Sequence, residues 1–279
     1  MRLSPATKKN NKMKITVAVL LSMAVSLAHA QTGMFAGNKI KTLTLSDTII
    51  NAAIDRPGDF YALTATGQIQ RFDKDGKLTL LYKTEKMPTI FDPRDGARLF
   101  VYYRGDQHYE FLNPSFHPIV SYKIDPAFAI QPWLICPSGE YKLWILDKAD
   151  HSLKKIDVKA SEVEVEVVVD STLIRDAEAF MTMRDYQNFV FLLNPAKGIY
   201  IFNSLGRHLR TIPAPGIQAF NFLGEELYYL DKGKISFFNL FTGETREMEI
   251  DPQYKGALLT DERIILFTPE KIDIYPFRP

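Results

Sequence analysis

Arg56-Pro57-Gly58-Asp59-Phe60-Tyr61-Ala62-Leu63-Thr64-Ala65-Thr66-Gly67-Gln68-Ile69-Gln70-Arg71-Phe72-Asp73-Lys74-Asp75-Gly76 is the stretch from which the fold is read. It runs through a tight turn, an apolar strand, a short polar step, a second strand and a hairpin. The phrase recurs, opened each time by a turn: Arg56–Asp59, Pro93–Gly96, Pro137–Glu140, Arg184–Gln187, Leu223–Glu226 and Thr260–Arg263. From Gly58 through Gly96, Gly139, Tyr186, Glu225 and Glu262 the steps are 38, 43, 47, 39 and 37 residues. Short strands repeating at about 40 residues are the signature of a β-propeller. Propellers carry many unrelated functions, so the repeat sets the architecture and leaves the activity open.

The expected blades follow. The first uses 49–54, 60–63, 68–72 and 77–82; the second 89–91, 99–103, 107–112 and 119–124; the third 133–136, 142–146, 152–156 and 163–169. The fourth uses 179–183, 189–193, 198–202 and 209–212, and the fifth 218–222, 227–230, 235–238 and 246–250. Alternation such as Glu162-Val163-Glu164-Val165-Glu166-Val167 marks a half-exposed outer strand. The sixth blade, 256–259, 264–267 and 271–275, is one strand short, and an orphan strand stands at 40–45. Pairing that orphan with 272–275 would complete the blade and remove the open seam. The fold class read from this is all-β: a six-bladed β-propeller, residues 31–279, with the ring closed by an N-terminal strand on the last blade. An all-β sandwich is the alternative, disfavoured by the unbroken recurrence and the complementary ends.

Residues 1–30 form a separate object. Lys8, Lys9, Lys12 and Lys14 precede an apolar run from Ile15 to Ala28, and Ala28-His29-Ala30 supplies a small-x-small cleavage pattern. This reads as a secretory signal peptide, with Met1 or Met13 as the start. The run is too short to span a bilayer comfortably, so no membrane span is expected after cleavage before Gln31. Removing 1–30 takes away five basic residues and no acid, leaving 29 basic against 33 acidic residues and moving the net charge from +1 to −4. Such a balance gives no electrostatic argument for nucleic acid or an anionic membrane. The expected location is outside the cytoplasm, in the periplasm or the medium. The single cysteine, Cys136, sits in the apolar Trp133-Leu134-Ile135-Cys136 and reads as a buried, inert thiol.

The strands 60–72 with the Asp73-x-x-Gly76 hairpin resemble the NHL-type six-bladed repeat, and the whole resembles NHL-type and TolB-like propellers of exported bacterial proteins. Leu143 to Asp157 and Asn203-Ser204-Leu205-Gly206 echo the pattern. No Trp-Asp dipeptide closes the blades, and no paired glycines of kelch type occur. Calcium-dependent sugar lactonases share the six-bladed ring, and the resemblance to them would imply metal-binding Glu, Asn and Asp on the inner strands. Here those strands read as mostly apolar, with Asn51 and Asn221 the obvious amides.

The candidate chemistry is sparse. Asp73-Lys74-Asp75-Gly76 has a fragment of a calcium loop, but Asp and Gly are equally what a tight hairpin demands. His108, His117, His151 and His208 show no metal-ligand spacing. No cofactor and no metal is expected. Aromatics between Phe100 and Phe111 read as packing between blades. One end of the ring carries the tight turns and the other the longer connections, where binding residues collect. Arg104, His151, Arg175, Asp176, Lys197 and Tyr254 fall at that longer-loop end and form the expected binding surface. The sequence thus points to an exported, non-enzymatic, monomeric ring acting as a scaffold for a protein partner of the cell envelope, within an outer-membrane or secretion assembly. The alternative is a carbohydrate binder, or a metal-dependent, lactonase-like hydrolase, using the axial pocket.

Overall fold

Each repeat places strands that are apolar on both faces beside strands that alternate, and the chain sorts them by depth. The computed structural model describes Met1 and residues 32–35 and 37–278. The expected signal peptide therefore lies outside the described residues, apart from Met1. The described strands begin with β1 (Thr32–Met34) and β2 (Lys41–Thr44). Blade one is β3 (Ile49–Ile54), β4 (Phe60–Thr64), β5 (Gln68–Phe72) and β6 (Leu78–Lys83). Blade two is β7 (Ile90–Asp92), β8 (Leu99–Tyr103), β9 (His108–Leu112) and β10 (Pro118–Lys123). Blade three is β11 (Pro132–Pro137), β12 (Lys142–Asp147), β13 (Ser152–Asp157) and β14 (Glu162–Val168). Blade four is β15 (Thr182–Tyr186), β16 (Phe189–Asn194), β17 (Gly198–Asn203) and β18 (His208–Pro213). Blade five is β19 (Asn221–Leu223), β20 (Glu226–Asp231), β21 (Lys234–Asn239) and β22 (Thr245–Glu249). Blade six is β23 (Gly256–Leu259), β24 (Arg263–Phe267) and β25 (Lys271–Pro276).

Every blade is an antiparallel meander, and β2 joins blade six as its outer strand, Lys41 opposite Ile274 and Thr44 opposite Lys271. The closure expected from the sequence is what the chain does. Asp273 secures it, accepting from the hydroxyls of Thr42 and Tyr254 and pairing with Lys39 at 3.0 Å. A second latch was not anticipated: β1 lies parallel against β22, so blade five has five strands. Phe35 follows β1, its amide donating to Glu249 O and its ring edge-on to Tyr275 at 5.2 Å. The N-terminal segment thereby ties blade five to blade six.

The core is a set of wedges, one between each pair of neighbouring blades. Tyr61, Ile69 and Leu63 of blade one meet Phe91, Leu99 and Leu112 of blade two. Equivalent clusters join blades two to three, three to four, four to five and five to six. The last joins Ile265 and Ile274 of blade six to Phe60 and Ala62 of blade one, so the ring is closed. Middle strands such as Phe60–Thr64 are buried throughout, whereas outer strands such as Leu78–Lys83 are mostly exposed. Each fully buried Leu, Ile or Phe contributes roughly 1.5–3 kcal/mol, so the wedges hold the ring together.

The hairpins between third and fourth strands of blades one, two and four are built alike. The Asp73 carboxylate accepts from the amides of Asp75 and Lys77, and Asn113 and Asn203 do the same for the residues two and four further on. Asp73–Gly76 is therefore a hairpin: Gly76 has φ +74, and an added Cβ there would come within 2.5 Å of Ile274 Cδ1.

Two details differ from the sequence reading. The innermost strand of blade four is 182–186, not 179–183, because Gln187 and Asn188, both with positive φ, make the turn instead of Arg184–Gln187. A short 3-10 turn, Ala177–Ala179, precedes it, with Asp176 accepting from the Glu178 amide. Blade two likewise begins at Ile90 and ends its inner strand on Asp92. The first shift moves Arg184 and Asp185 from a turn onto an inner strand, and the second adds Asp92 to one.

Candidate functional site

The innermost strands end at the tight turns, and there the ring opens into a cavity of about 950 Å³. Its walls come from all six blades, through Asp55, Asp92, Ser138, Asp185, Asn221 and Thr260 among others. The floor is charged. Arg94 grips Asp92, with Nε 2.9 Å and Nη2 2.8 Å from Asp92 Oδ2. From the same guanidinium, Nη1 donates to Asp185 O at 2.8 Å, so blade two is tied to blade four across the axis. Asp185 reaches into blade three, where it accepts from Ser138 Oγ and, at 3.2 Å, from Trp144 Nε1. Arg184 points the other way, its Nη1 donating to Asn221 Oδ1 of blade five at 3.2 Å. Alternation along β15 explains the split, since neighbouring residues face opposite sides of the strand.

Burial alone would raise the Asp92 carboxyl, but Arg94 and Arg184 outweigh it and hold the pKa at about 2. Asp55, at the blade-one end of the same floor, is raised by burial despite accepting from Tyr61 Oη at 2.9 Å. Burial, with Asp185 nearby, also pushes the Cys136 thiol well up, and its side chain is 1% exposed. It is free and buried, as expected of that strand. The axis is thus more polar than the sequence suggested: Asp92, Arg184, Asp185 and Asn221 of the inner strands and Arg94 of the turn after β7 converge. Sequence reasoning named Asn221 and missed the others: Asp92 falls between the expected strand 89–91 and the turn 93–96, Arg94 reaches the axis from within that turn, and Arg184–Asp185 reads as a turn. The available signal was an aspartate at or beside the end of three of the six inner strands, at Asp55, Asp92 and Asp185. None of the four described histidines lines this cavity. Among the described residues, no group of three or more His, Cys, Asp or Glu side chains comes together as a metal site.

Five of the six residues expected at the longer-loop end are at its surface. Arg104 is half-buried in the 3-10 turn Arg104–Asp106. His151 is exposed in the turn between β12 and β13, with φ 56. Arg175 and Asp176 lie exposed ahead of β15, and Lys197 in the turn between β16 and β17. Tyr254 is a correction: it is 6% exposed, packs in the wedge between blades five and six, and commits its hydroxyl to Asp273 at 2.7 Å. The same end shows an apolar arc. Ile50, Met87, Ile130 and Met181, at or just before the inner strands of blades one to four, are 51%, 45%, 61% and 49% exposed.

No family model matches the chain, and no curated protein matches it in sequence. Solved structures share its fold. A streptogramin B lyase aligns at TM-score 0.54 and 11% identity, over 85% of this chain and 97% of the lyase. The extracellular domain of a hybrid two component system, BT4673 from B. thetaiotaomicron, aligns at TM-score 0.51 and 11% identity, over 83% of this chain and 35% of that one. BamB from Moraxella catarrhalis aligns at TM-score 0.45 and 13% identity, over 84% and 74%. The chain is a six-bladed β-propeller. Identities this low speak for the fold alone, and the fold serves catalysts and binding modules alike. Among the described residues no helix is long and apolar enough to cross a membrane.

Proposed function

We propose that this protein is exported, with cleavage after Ala30, and works as a non-enzymatic ring that holds a protein partner of the cell envelope on its longer-loop end. The apolar arc of Ile50, Met87, Ile130 and Met181 carries the reading. Scattered exposed aliphatics need no explanation, but four from consecutive blades at one end of a ring are the pattern of an interaction surface. The charged axis fits the same view, because Arg94 and Asp92 are spent on each other and on the backbone of Asp185. Groups saturated in this way stiffen a frame.

Site-specific photo-crosslinking in the native envelope tests the proposal. A crosslinker at Met181 should capture a defined protein partner, and one at Gln187, on the tight-turn end, should not. Adducts only from Gln187 would overturn it. Mass spectrometry of the recovered protein should find Gln31 at the amino terminus.

The convergence of Asp92, Arg94, Asp185 and Asn221 on a cavity favours a second reading: a polar ligand such as a carbohydrate, held in the axial cavity. Melting temperatures measured across a panel of sugars and lactones separate the two, since a ligand of the cavity would raise them.

A further inference from the structure

Arg104 combines three features that no other arginine of the ring shares. It is stacked, with its guanidinium carbon 3.4 Å from the centroid of the Trp133 ring. It is anchored, with Nε donating to Trp133 O at 2.8 Å. And among the described residues no carboxylate lies within ion-pairing distance of it; Glu178, the nearest acid to influence it, is paired with Lys148. The indole is itself fixed, since Trp133 Nε1 donates to Phe180 O of the next blade at 2.9 Å. Both groups are therefore pre-positioned, and among the described residues the two terminal nitrogens of the guanidinium have no acceptor.

A half-buried cation pays part of its desolvation cost without a counter-charge, and burial accordingly pulls the Arg104 pKa down. A partner that supplied the counter-charge would recover that cost. The flanking chemistry narrows the partner. Ile130 lies three residues before Trp133, and Met181 directly follows Phe180, whose carbonyl fixes the indole; both are exposed. Lys148, over the same ring at 5.8 Å, is neutralised by Glu178, so the site carries one net positive charge. A planar fork with one charge suits a carboxylate better than a dianionic phosphate. Stacked Arg–Trp pairs with aliphatic neighbours are also the composition of interface anchors.

We infer that the Arg104–Trp133 pair is the anchor of the longer-loop end, and that it accepts a carboxylate carried beside an aliphatic side chain of a protein partner. The inference rests on the reading of that end as the partner surface. It adds the chemistry of the contact.

The two tryptophans make the test direct, because Trp133 reports the longer-loop end and Trp144 the axial cavity. Indole N–H signals of the 15N-labelled, exported protein are assigned with Trp133→Phe, then titrated with N-acetyl-leucine and with N-acetyl-leucinamide. The acid should shift the Trp133 signal at about tenfold lower concentration than the amide, leaving Trp144 unmoved, in line with the greater strength of charge-assisted bonds. Arg104→Gln should abolish the difference, and Arg104→Lys should restore part of it. An unchanged Trp144 signal in each variant shows that the ring is intact. Equal shifts by acid and amide would overturn the carboxylate and leave the apolar partner surface standing. No shift by either would overturn the anchor, while crosslinking at Met181 would still decide the wider reading.

Discussion

Arg94 and Arg104 lie in the turns before and after strand β8, and the two meet opposite fates. Arg94, before the strand, enters the axis and finds a buried carboxylate and a carbonyl. Arg104, after it, emerges at the other end and finds only an indole face and one carbonyl. The side chain is the same and the blade is the same. What differs is whether the protein itself completes the charge. A completed charge holds the ring's geometry, and an incomplete one is available to something else.

Substitutions can break this comparison, and the largest effect belongs to Arg94. Arg94→Ala would leave Asp92 buried with only the field of Arg184, costing about 3–5 kcal/mol and lowering the melting temperature by about 10 °C. A calorimetric melt that stayed within 2 °C of wild type would show that Arg94 is not structural.

Acid comes next. The Asp92 carboxyl sits at about 2 in the folded ring and near 3.9 when unfolded. Its folded value is depressed, so its contribution is complete above about pH 4 and is lost as pH falls from there towards 2, about 2 kcal/mol in all. Asp55 works in the opposite sense, because its raised folded value means that its buried charge is relieved as pH falls. Denaturant titrations at several pH values should therefore show Asp92→Asn losing less stability between pH 4 and 2 than wild type.

Arg104→Ala should cost about 1 kcal/mol or less, the worth of one stacked, partly exposed contact. Should it prove as costly as Arg94→Ala, the distinction between the two ends would collapse. Smallest of all, the paired change Arg175→Glu and Lys197→Glu should move stability by only about ±0.5 kcal/mol. It should still weaken capture of the crosslinked partner, with a loss that depends on salt.

The ring was legible in the sequence because its signals are local. Turn residues such as Pro93 and Gly96, the Asp73–Gly76 hairpin and the alternation over 162–167 each report on a few neighbours in the chain. The closing strand was legible too, since a blade lacking a strand and an orphan of matching length imply each other. The axis was not. Arg94 and Asp185 lie 91 residues apart, and nothing nearby in sequence says that they will meet. The two-residue turn at Gln187–Asn188 compounded this, since a shift along blade four moves Arg184 and Asp185 from a loop onto a strand. Tyr254 erred for a related reason: it follows Asp251-Pro252-Gln253, which reads as solvent-exposed loop, yet its ring fills the wedge that Asp273 and Tyr275 build from the far end of the chain.

Blade six joins the beginning of the ring to its end, with Thr42 bonded to Asp273 across 231 residues. Blades one to four draw their strands from continuous stretches and can assemble in order of synthesis. Blade six cannot, because its outer strand, β2, precedes blade one and must wait, unpaired, for β25. The seam thus closes only once β25 is present. A product that stopped between blade one and β25 would keep an open edge, so the fold itself registers whether β25 has been made.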